Sequence, residues 1–160
     1  MLSVHIICVG KMKEKFYIGA ADEYAKRLSA YCKLTVTELS EEKLPPNPSR
    51  SLIDAALAKE GQSIRAKIPS GAELVALCVE GKTQSSEQLA QFVQSCELNS
   101  TRHLVFLIGG SFGLDPTLKQ ECRIRLSMSP MTFPHHLARV MLLEQIYRAF
   151  KINEGSAYHK

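Results

Sequence analysis

The C-terminal part of the chain holds the side chains best suited to chemistry. Glu144 and Arg148 are four residues apart, so they can pair on one face of a helix. Tyr158 and His159 follow in a short tail, and both can exchange protons. Functional side chains often lie on loops and tails that a rigid scaffold holds in place. We therefore expect the functional site at this end of the chain.

A proline-rich loop precedes the helix that carries these charges. Pro130 and Pro134 flank Met131-Thr132-Phe133 and restrict the backbone between them. The free N–H and C=O groups of such a loop point at defined partners and can recognise a planar heterocycle. By itself this pattern is common, so it supports a binding loop without identifying the ligand.

Two glycine patterns resemble nucleotide sites but lack the required spacing. Gly81-Lys82-Thr83 would need a glycine at position 76 to form a phosphate-binding loop, and Ala76 stands there. The Gly109–Gly113 segment lacks the G-x-G-x-x-G spacing of a dinucleotide site. Its glycines still indicate a tight turn or a close approach of the backbone to another group.

No metal site is expected. His135 and His136 are adjacent and not at helical ligand spacing. The five cysteines form no CxxC pair, and their odd number favours reduced, mostly buried thiols in a cytoplasmic protein. No apolar run approaches the roughly 20 residues of a membrane span. The apolar N-terminal stretch, which no basic segment precedes, reads as a first strand and not as a signal peptide.

A net charge of +4 permits a polyanionic partner without requiring one. Lys11, Lys13 and Lys15 cluster just after the first predicted strand. They are either a solvated surface or part of a contact to phosphates.

Hydrophobic periodicity predicts alternating strands and helices in one domain, residues 1–160. Predicted strands cover 2–9, 33–39, 74–79, 103–108 and 123–128, and predicted helices cover 15–31, 52–68, a segment begun by Ser85, a short segment at Pro116, and 134–153. This alternation is typical of a mostly parallel sheet flanked by helices. Such sheets bind ligands at the carboxyl ends of their strands, here the loops after Val79, Ile108 and Met128.

The last predicted helix is apolar on two sides. Leu142 and Ile146 lie on one face, whereas Leu137 and Met141 lie nearly opposite, beside the charged pair. A second subunit could bury the second face, which favours a homodimer. The alternative is a fully internal helix with a structural ion pair.

The combination of motifs resembles one known family over the whole chain. The motifs are Glu80-Gly81; Leu107-Ile108-Gly109-Gly110 with Gly113-Leu114; Ser127-Met128-Ser129 leading into Thr132-Phe133-Pro134-His135; Arg139; Glu144; Tyr147-Arg148-Ala149; and Tyr158-His159. Together they resemble the bacterial large-subunit ribosomal RNA pseudouridine N3-methyltransferases of the SPOUT, or α/β-knot, superfamily. Each motif alone is unspecific, whereas the combination is specific.

The resemblance implies a C-terminal trefoil knot, a homodimer and S-adenosylmethionine as the methyl donor. It assigns the cofactor to Leu77, Gly109, Met128, Ser129, Pro130, Met131, Thr132 and Phe133. Family members often carry Leu-Ser-x-x-Thr-Leu-Pro-His. This chain has Met128 and Phe133 where that pattern has leucine, and Pro130 stands at a variable position. Contacts through the backbone are therefore better supported than contacts through those side chains.

The resemblance also implies a target site and an RNA surface. Glu144, Arg148, Tyr158 and His159 would form the catalytic site, with the tail reaching the cofactor of the partner subunit. Candidate RNA contacts are Lys11, Lys13, Lys15, His135 and Arg139. The target would be read mainly on the assembled ribosome.

The implied reaction requires the imide N3 of pseudouridine to lose its proton. His159 is a candidate base because its ordinary pKa lies near neutrality, and Glu144 is the alternative if burial raises its pKa. Arg148 could stabilise the developing negative charge. A ribosome-associated binding protein without catalysis is the competing interpretation, and cofactor binding separates the two.

Overall fold

The computed structural model describes residues 1–160 and contains one sheet of five parallel strands. The strands are β1 (Ser3–Val9), β2 (Lys33–Leu39), β3 (Glu73–Thr83), β4 (His103–Ile108) and β5 (Ile124–Ser127). The helices are α1 (Lys15–Leu28), α2 (Arg50–Arg65), α3 (Ser86–Leu98), α4 (Pro116–Glu121) and α5 (His135–Asn153). The order across the sheet is β2-β1-β4-β3-β5. The predicted fold class, a parallel sheet flanked by helices, is confirmed.

Two buried clusters cover the two faces of the sheet. Side chains alternate along a strand, so Val4 and Ile6 of β1 face one cluster, and Ile7 and Val9 face the other. The larger cluster includes residues of α1, α3 and α5, whereas the smaller one includes residues of α2 and α4. Because both faces are covered, the central strands are apolar almost throughout.

Local signals set the ends of the helices near the site. The Ser85 hydroxyl accepts from the Gln88 N–H at 3.1 Å, and the Gln88 side chain accepts from the Ser85 N–H at 2.8 Å. These two bonds form a capping box at the start of α3, the helix that Ser85 was predicted to begin. Pro116 lies in the first turn of α4, as expected. Gly155, with φ +75°, follows the end of α5.

Strand β3 is longer than predicted and contains a bulge. Leu126 of β5 is aligned first with Leu77 and then with Lys82, so the intervening residues leave the regular ladder. At Gly81, a Cβ atom would lie 2.6 Å from the carbonyl oxygen of Arg125. Only glycine allows this approach without a shift of one strand. The polar Glu80-Gly81-Lys82 stretch predicted a loop, but part of it pairs with β5.

The thiols are mostly buried. Cys8, Cys32, Cys96 and Cys122 are buried, Cys78 is half-buried, and none is in a disulfide. Burial raises the pKa of the thiols of Cys8, Cys32 and Cys122 to about 11. No group of three or more His, Cys, Asp or Glu side chains is arranged to hold a metal ion. None of the helices combines the length and apolar character that crossing a membrane requires.

Candidate active site

A cleft of about 380 Å³ opens at the carboxyl ends of β3, β4 and β5. We call it the strand-end cleft. It is lined by residues 77–80, 108–114, 128–129 and 131–133, together with Lys119, His135 and Ala138. Its size falls in the range of small-molecule sites, and its place is the edge where parallel sheets bind ligands. Of the predicted cofactor residues, all but Pro130 line it.

Backbone atoms form one wall of the strand-end cleft. A Cβ atom at Gly109 would lie 2.3 Å from the carbonyl group of Gly113, so the turn requires glycine there. The Gly113 N–H donates to the Gly110 carbonyl at 3.1 Å. From outside the cleft, Glu41 accepts a hydrogen bond from the Ser111 N–H at 2.8 Å. The turn is therefore fixed on both sides and presents its backbone to the cleft.

The loop after β5 forms the opposite wall. Its own serines brace it: the Ser127 hydroxyl donates to the Ser129 carbonyl, and the Ser129 hydroxyl accepts from the Met131 N–H, both at 3.0 Å. Met131 is 73% exposed and Phe133 36% exposed. Exposed apolar side chains beside backbone polar groups suit a ligand with a flat ring and a polar edge.

A second group of side chains surrounds Arg148. We call Glu87, Glu144, Arg148, Tyr158 and His159 the tail cluster. The Glu144 carboxylate accepts from Arg148 Nη2 at 2.6 Å and from the Tyr158 hydroxyl at 3.1 Å. Nη1 of Arg148 lies 3.1 Å from Nδ1 of His159, and Nε2 of His159 lies 2.8 Å from Oε1 of Glu87. Arginine only donates, so Nδ1 accepts and Nε2 of a neutral His159 carries the proton.

Burial and the hydrogen bond to Glu144 determine the protonation of Tyr158 in the tail cluster. Partial burial, followed by the hydrogen bond to Glu144, raises the pKa of Tyr158. The phenol therefore stays protonated at neutral pH and donates. The Arg148 guanidinium lies 4.9 Å from the centre of the Tyr158 ring, within the range of a cation–π contact. Arg148 and Tyr158 are thus fixed by their contact with each other and by their hydrogen bonds to Glu144.

The tail cluster does not line the strand-end cleft within one chain. Glu144 instead lines a neighbouring groove between the start of α3, the end of β5 and α5. Met128 lines both cavities. Of the predicted catalytic residues, Glu144 therefore lines a groove that shares the Met128 side chain with the strand-end cleft.

The residues predicted to contact RNA lie in different surroundings. Lys11, Lys13 and Lys15 are exposed after β1 and at the start of α1. His135 lines the strand-end cleft, where burial, and then the charge of His136, lowers its pKa. Glu14, which stands between Lys13 and Lys15, lies 3.3 Å from Nδ1 of His136 at the start of α5.

Arg139 is buried, with only 4% of its surface exposed. It donates to Oε2 of Glu38 at 2.8 Å and to the carbonyl of Gly10 at 3.3 Å. Oε2 of Glu38 also accepts from the Met12 N–H at 2.8 Å. Arg139 thus holds the lysine-bearing segment against α5 through hydrogen bonds to Glu38 and Gly10.

Glu80, Lys119 and Phe112 also line the strand-end cleft, although sequence patterns assigned them no role. Glu80 belongs to the Glu80-Gly81 motif, which was the only signal in the sequence that pointed to it. Lys119 lies in a short helix with no motif around it. Residues 39 positions apart, such as Glu80 and Lys119, meet only through the order of the strands.

Comparisons with known proteins point to one family. A family model described as "Predicted SPOUT methyltransferase" matches residues 2–159. A protein of Bifidobacterium adolescentis is 48% identical over 159 residues, which cover 99% of this chain and 100% of that protein. Proteins of Clostridium novyi and Leuconostoc mesenteroides are 47% and 43% identical with the same coverage. All three relatives bear the name "Ribosomal RNA large subunit methyltransferase H".

Proposed function

Since the chain belongs to the SPOUT methyltransferase family, we propose that it transfers a methyl group from S-adenosylmethionine to ribosomal RNA of the large subunit. The observation that carries the proposal is the strand-end cleft, which the predicted cofactor loops line. The target in this proposal is N3 of a pseudouridine. Similarity to the named relatives over nearly the full chain supports an RNA of the same class.

The strand-end cleft fits the proposed cofactor. The Gly109 turn leaves no room for a side chain and offers backbone groups to a polar ring edge. Leu77, Met131 and Phe133 offer apolar surface to the faces of an adenine ring. When bound, the cofactor supplies an electrophilic methyl group, and the protein supplies orientation and electrostatics. Orientation alone can contribute about 7–11 kcal/mol to lowering the barrier.

The tail cluster supplies the proton chemistry in this proposal. His159 accepts the N3 proton, Arg148 faces the negative charge that develops on the imide, and Tyr158 orients the base. The hydrogen bonds of Glu144 to Arg148 and Tyr158 support these roles, because they fix both side chains. A pair of donors that is already oriented stabilises charge without reorganising during the reaction.

The working form in this proposal is a homodimer, in which the tail of one subunit completes the cleft of the other. Two observations support it. The second apolar face of α5, with Leu137, Val140 and Met141, is only half-buried in the single chain. None of the tail-cluster residues lines the strand-end cleft of that chain. The proposal also includes a trefoil knot in the C-terminal part.

The proposed setting is the assembled ribosome in the cytoplasm. Lys11, Lys13 and Lys15 are the candidate phosphate contacts, and their exposure supports that role. Such a small basic surface favours a target whose position other parts of the ribosome help to define.

Titration and transfer together test the proposal. We expect calorimetry to show S-adenosylmethionine binding at micromolar strength with at most one site per chain. We then expect transfer of labelled methyl to ribosomes from cells that lack the modification, located at N3 of a pseudouridine by mass spectrometry. Ribosomes that already carry the modification are the control. Cofactor binding without transfer to any ribosomal particle would favour a non-catalytic binding protein.

A further inference from the structure

The strand-end cleft contains a single pair of oppositely charged side chains. Of the residues that line it, Glu80 is the only acidic one and Lys119 the only lysine or arginine. Nζ of Lys119 lies 2.5 Å from Oε1 of Glu80. The side chains are 21% and 62% exposed, so the pair lies toward the mouth of the cleft.

Two separate elements of the fold, the bulge of β3 and helix α4, bring these two residues together. Glu80 lies in the bulge of β3, next to Gly81, where the close approach to the backbone of Arg125 leaves no room for a side chain. Lys119 lies on α4, whose start Pro116 and the Asp115 side chain define. The hydrogen bond from Lys119 lowers the pKa of Glu80, so the carboxylate is charged at neutral pH.

We propose that Glu80 and Lys119 bind the amino-acid end of the cofactor, with Lys119 on its α-carboxylate and Glu80 on its α-ammonium group. The inference rests on the proposed function, because it takes S-adenosylmethionine as the ligand. A zwitterion needs one cation and one anion close together, and the cleft offers one of each. The neutral remainder of the lining is left for the nucleoside.

The exchange of partners costs little. Glu80 is largely exposed to water, so breaking its pair with Lys119 to admit a ligand sacrifices little stability. Each side chain then gains a charged partner in a site that the ligand partly shields from water. In the free protein the two residues neutralise each other and keep the mouth of the cleft free of unpaired charge.

The inference separates ligands by their amino-acid end. S-adenosylmethionine and S-adenosylhomocysteine carry that end, whereas 5′-methylthioadenosine has the same nucleoside and a thioether without it. Calorimetric titration with all three ligands is the test. The variants are Lys119→Met and Glu80→Gln, with Lys59→Met as control, because Lys59 pairs with Glu42 outside the cleft.

For Lys119→Met we expect the affinity for the first two ligands to fall roughly tenfold. Affinity for 5′-methylthioadenosine should not change. Glu80→Gln keeps the shape of the side chain and should show the same selective loss, while Lys59→Met should behave as the unsubstituted protein. Circular dichroism checks that each variant is folded.

Two results would overturn the inference while leaving the proposed function intact. One is an unchanged affinity for S-adenosylmethionine in both cleft variants. The other is an equal loss for all three ligands, which would mean that the pair only shapes the cleft. If the unsubstituted protein binds none of the three, the proposed function itself fails, and this inference fails with it.

Discussion

At the scale of single residues, His159 is the member of the tail cluster whose hydrogen bonds would have to change if it acts as the proposed base. Its Nδ1 accepts from Arg148, and its Nε2 donates to Glu87. A base needs a free lone pair, so the bond to Arg148 has to be exchanged for one to the substrate. That exchange would release a donor of Arg148 toward the charge that the lost proton leaves behind.

The first prediction concerns this imidazole. His159→Ala should lower the rate of methyl transfer about 10²–10⁴-fold, the usual contribution of a general base. Cofactor affinity should change little, because the predicted cofactor residues lie outside the tail and His159 does not line the strand-end cleft of its own chain. Single-turnover transfer to ribosomes and calorimetry measure the two quantities. Lys160→Ala, at the exposed neighbouring position, is the matched control. An unaltered rate would show that His159 is not the general base and would favour Glu144 in that role.

Residue types in the sequence indicated the site only where the signal was local. The Gly109 turn and the proline loop carry their own conformational restrictions, and both line the cleft. Arg139 was a candidate RNA contact, but it is buried and pairs with Glu38, which is 101 residues away. A charged residue becomes interior when a distant partner neutralises it, and spacing along one helix does not reveal that partner.

At the scale of elements, the bulge in β3 links the sheet to the strand-end cleft. It moves Cys78, Val79 and Glu80 out of the ladder and into the lining. After the bulge, Lys82 and Thr83 of β3 pair again with β5. One irregular segment therefore provides a wall of the cleft without ending the strand.

The second prediction tests that bulge. Gly81→Ala should lower the free energy of unfolding by about 1–3 kcal/mol, because the new Cβ would lie 2.6 Å from backbone that cannot move freely. It should also weaken cofactor binding by displacing Glu80. Urea denaturation and calorimetry provide the two measurements.

Gly19→Ala is the control for this substitution. Gly19 lies in α1, and a Cβ there would meet nothing within 4 Å. Alanine at this position should raise the free energy of unfolding by roughly 0.5–1 kcal/mol. Equal effects at positions 19 and 81 would show that the close approach of β3 and β5 does not determine the stability of the bulge.

Periodicity predicted the short apolar strands best. The bounds of β2 and β4 match the prediction, because the alternating run of β2 ends before Ser40 and the apolar run of β4 ends before Gly109. It predicted β3 poorly, because Glu80-Gly81-Lys82-Thr83 is polar and still pairs in part with β5. Pairing of polar residues depends on the neighbouring strand, and the segment itself carries no sign of it.

At the scale of the whole molecule, strand order assembles the site. Placing β3 between β4 and β5 brings together three strand ends from distant parts of the chain. Alternating patterns predict a parallel sheet but leave the order of its strands open. The homodimer and the knot remain predictions, because they depend on a second chain and on threading.

The third prediction removes the tail. A chain ending at Gly155 should fold and bind the cofactor, because residues 156–160 belong to neither buried cluster. It should methylate nothing, since Tyr158 and His159 are lost. Circular dichroism, calorimetry and the ribosome assay measure the three properties, and the unsubstituted chain is the reference. Activity that survived the truncation would contradict the composite site.

Arg139 gives the lysine segment and the strand-end cleft a common support. It binds Gly10 and Glu38 on one side, and α5, its own helix, contributes His135 and Ala138 to the lining on the other. Any factor by which bound RNA changes cofactor affinity must equal the factor by which cofactor changes RNA affinity. A support shared by the two surfaces would therefore make each ligand a regulator of the other's affinity to the same extent.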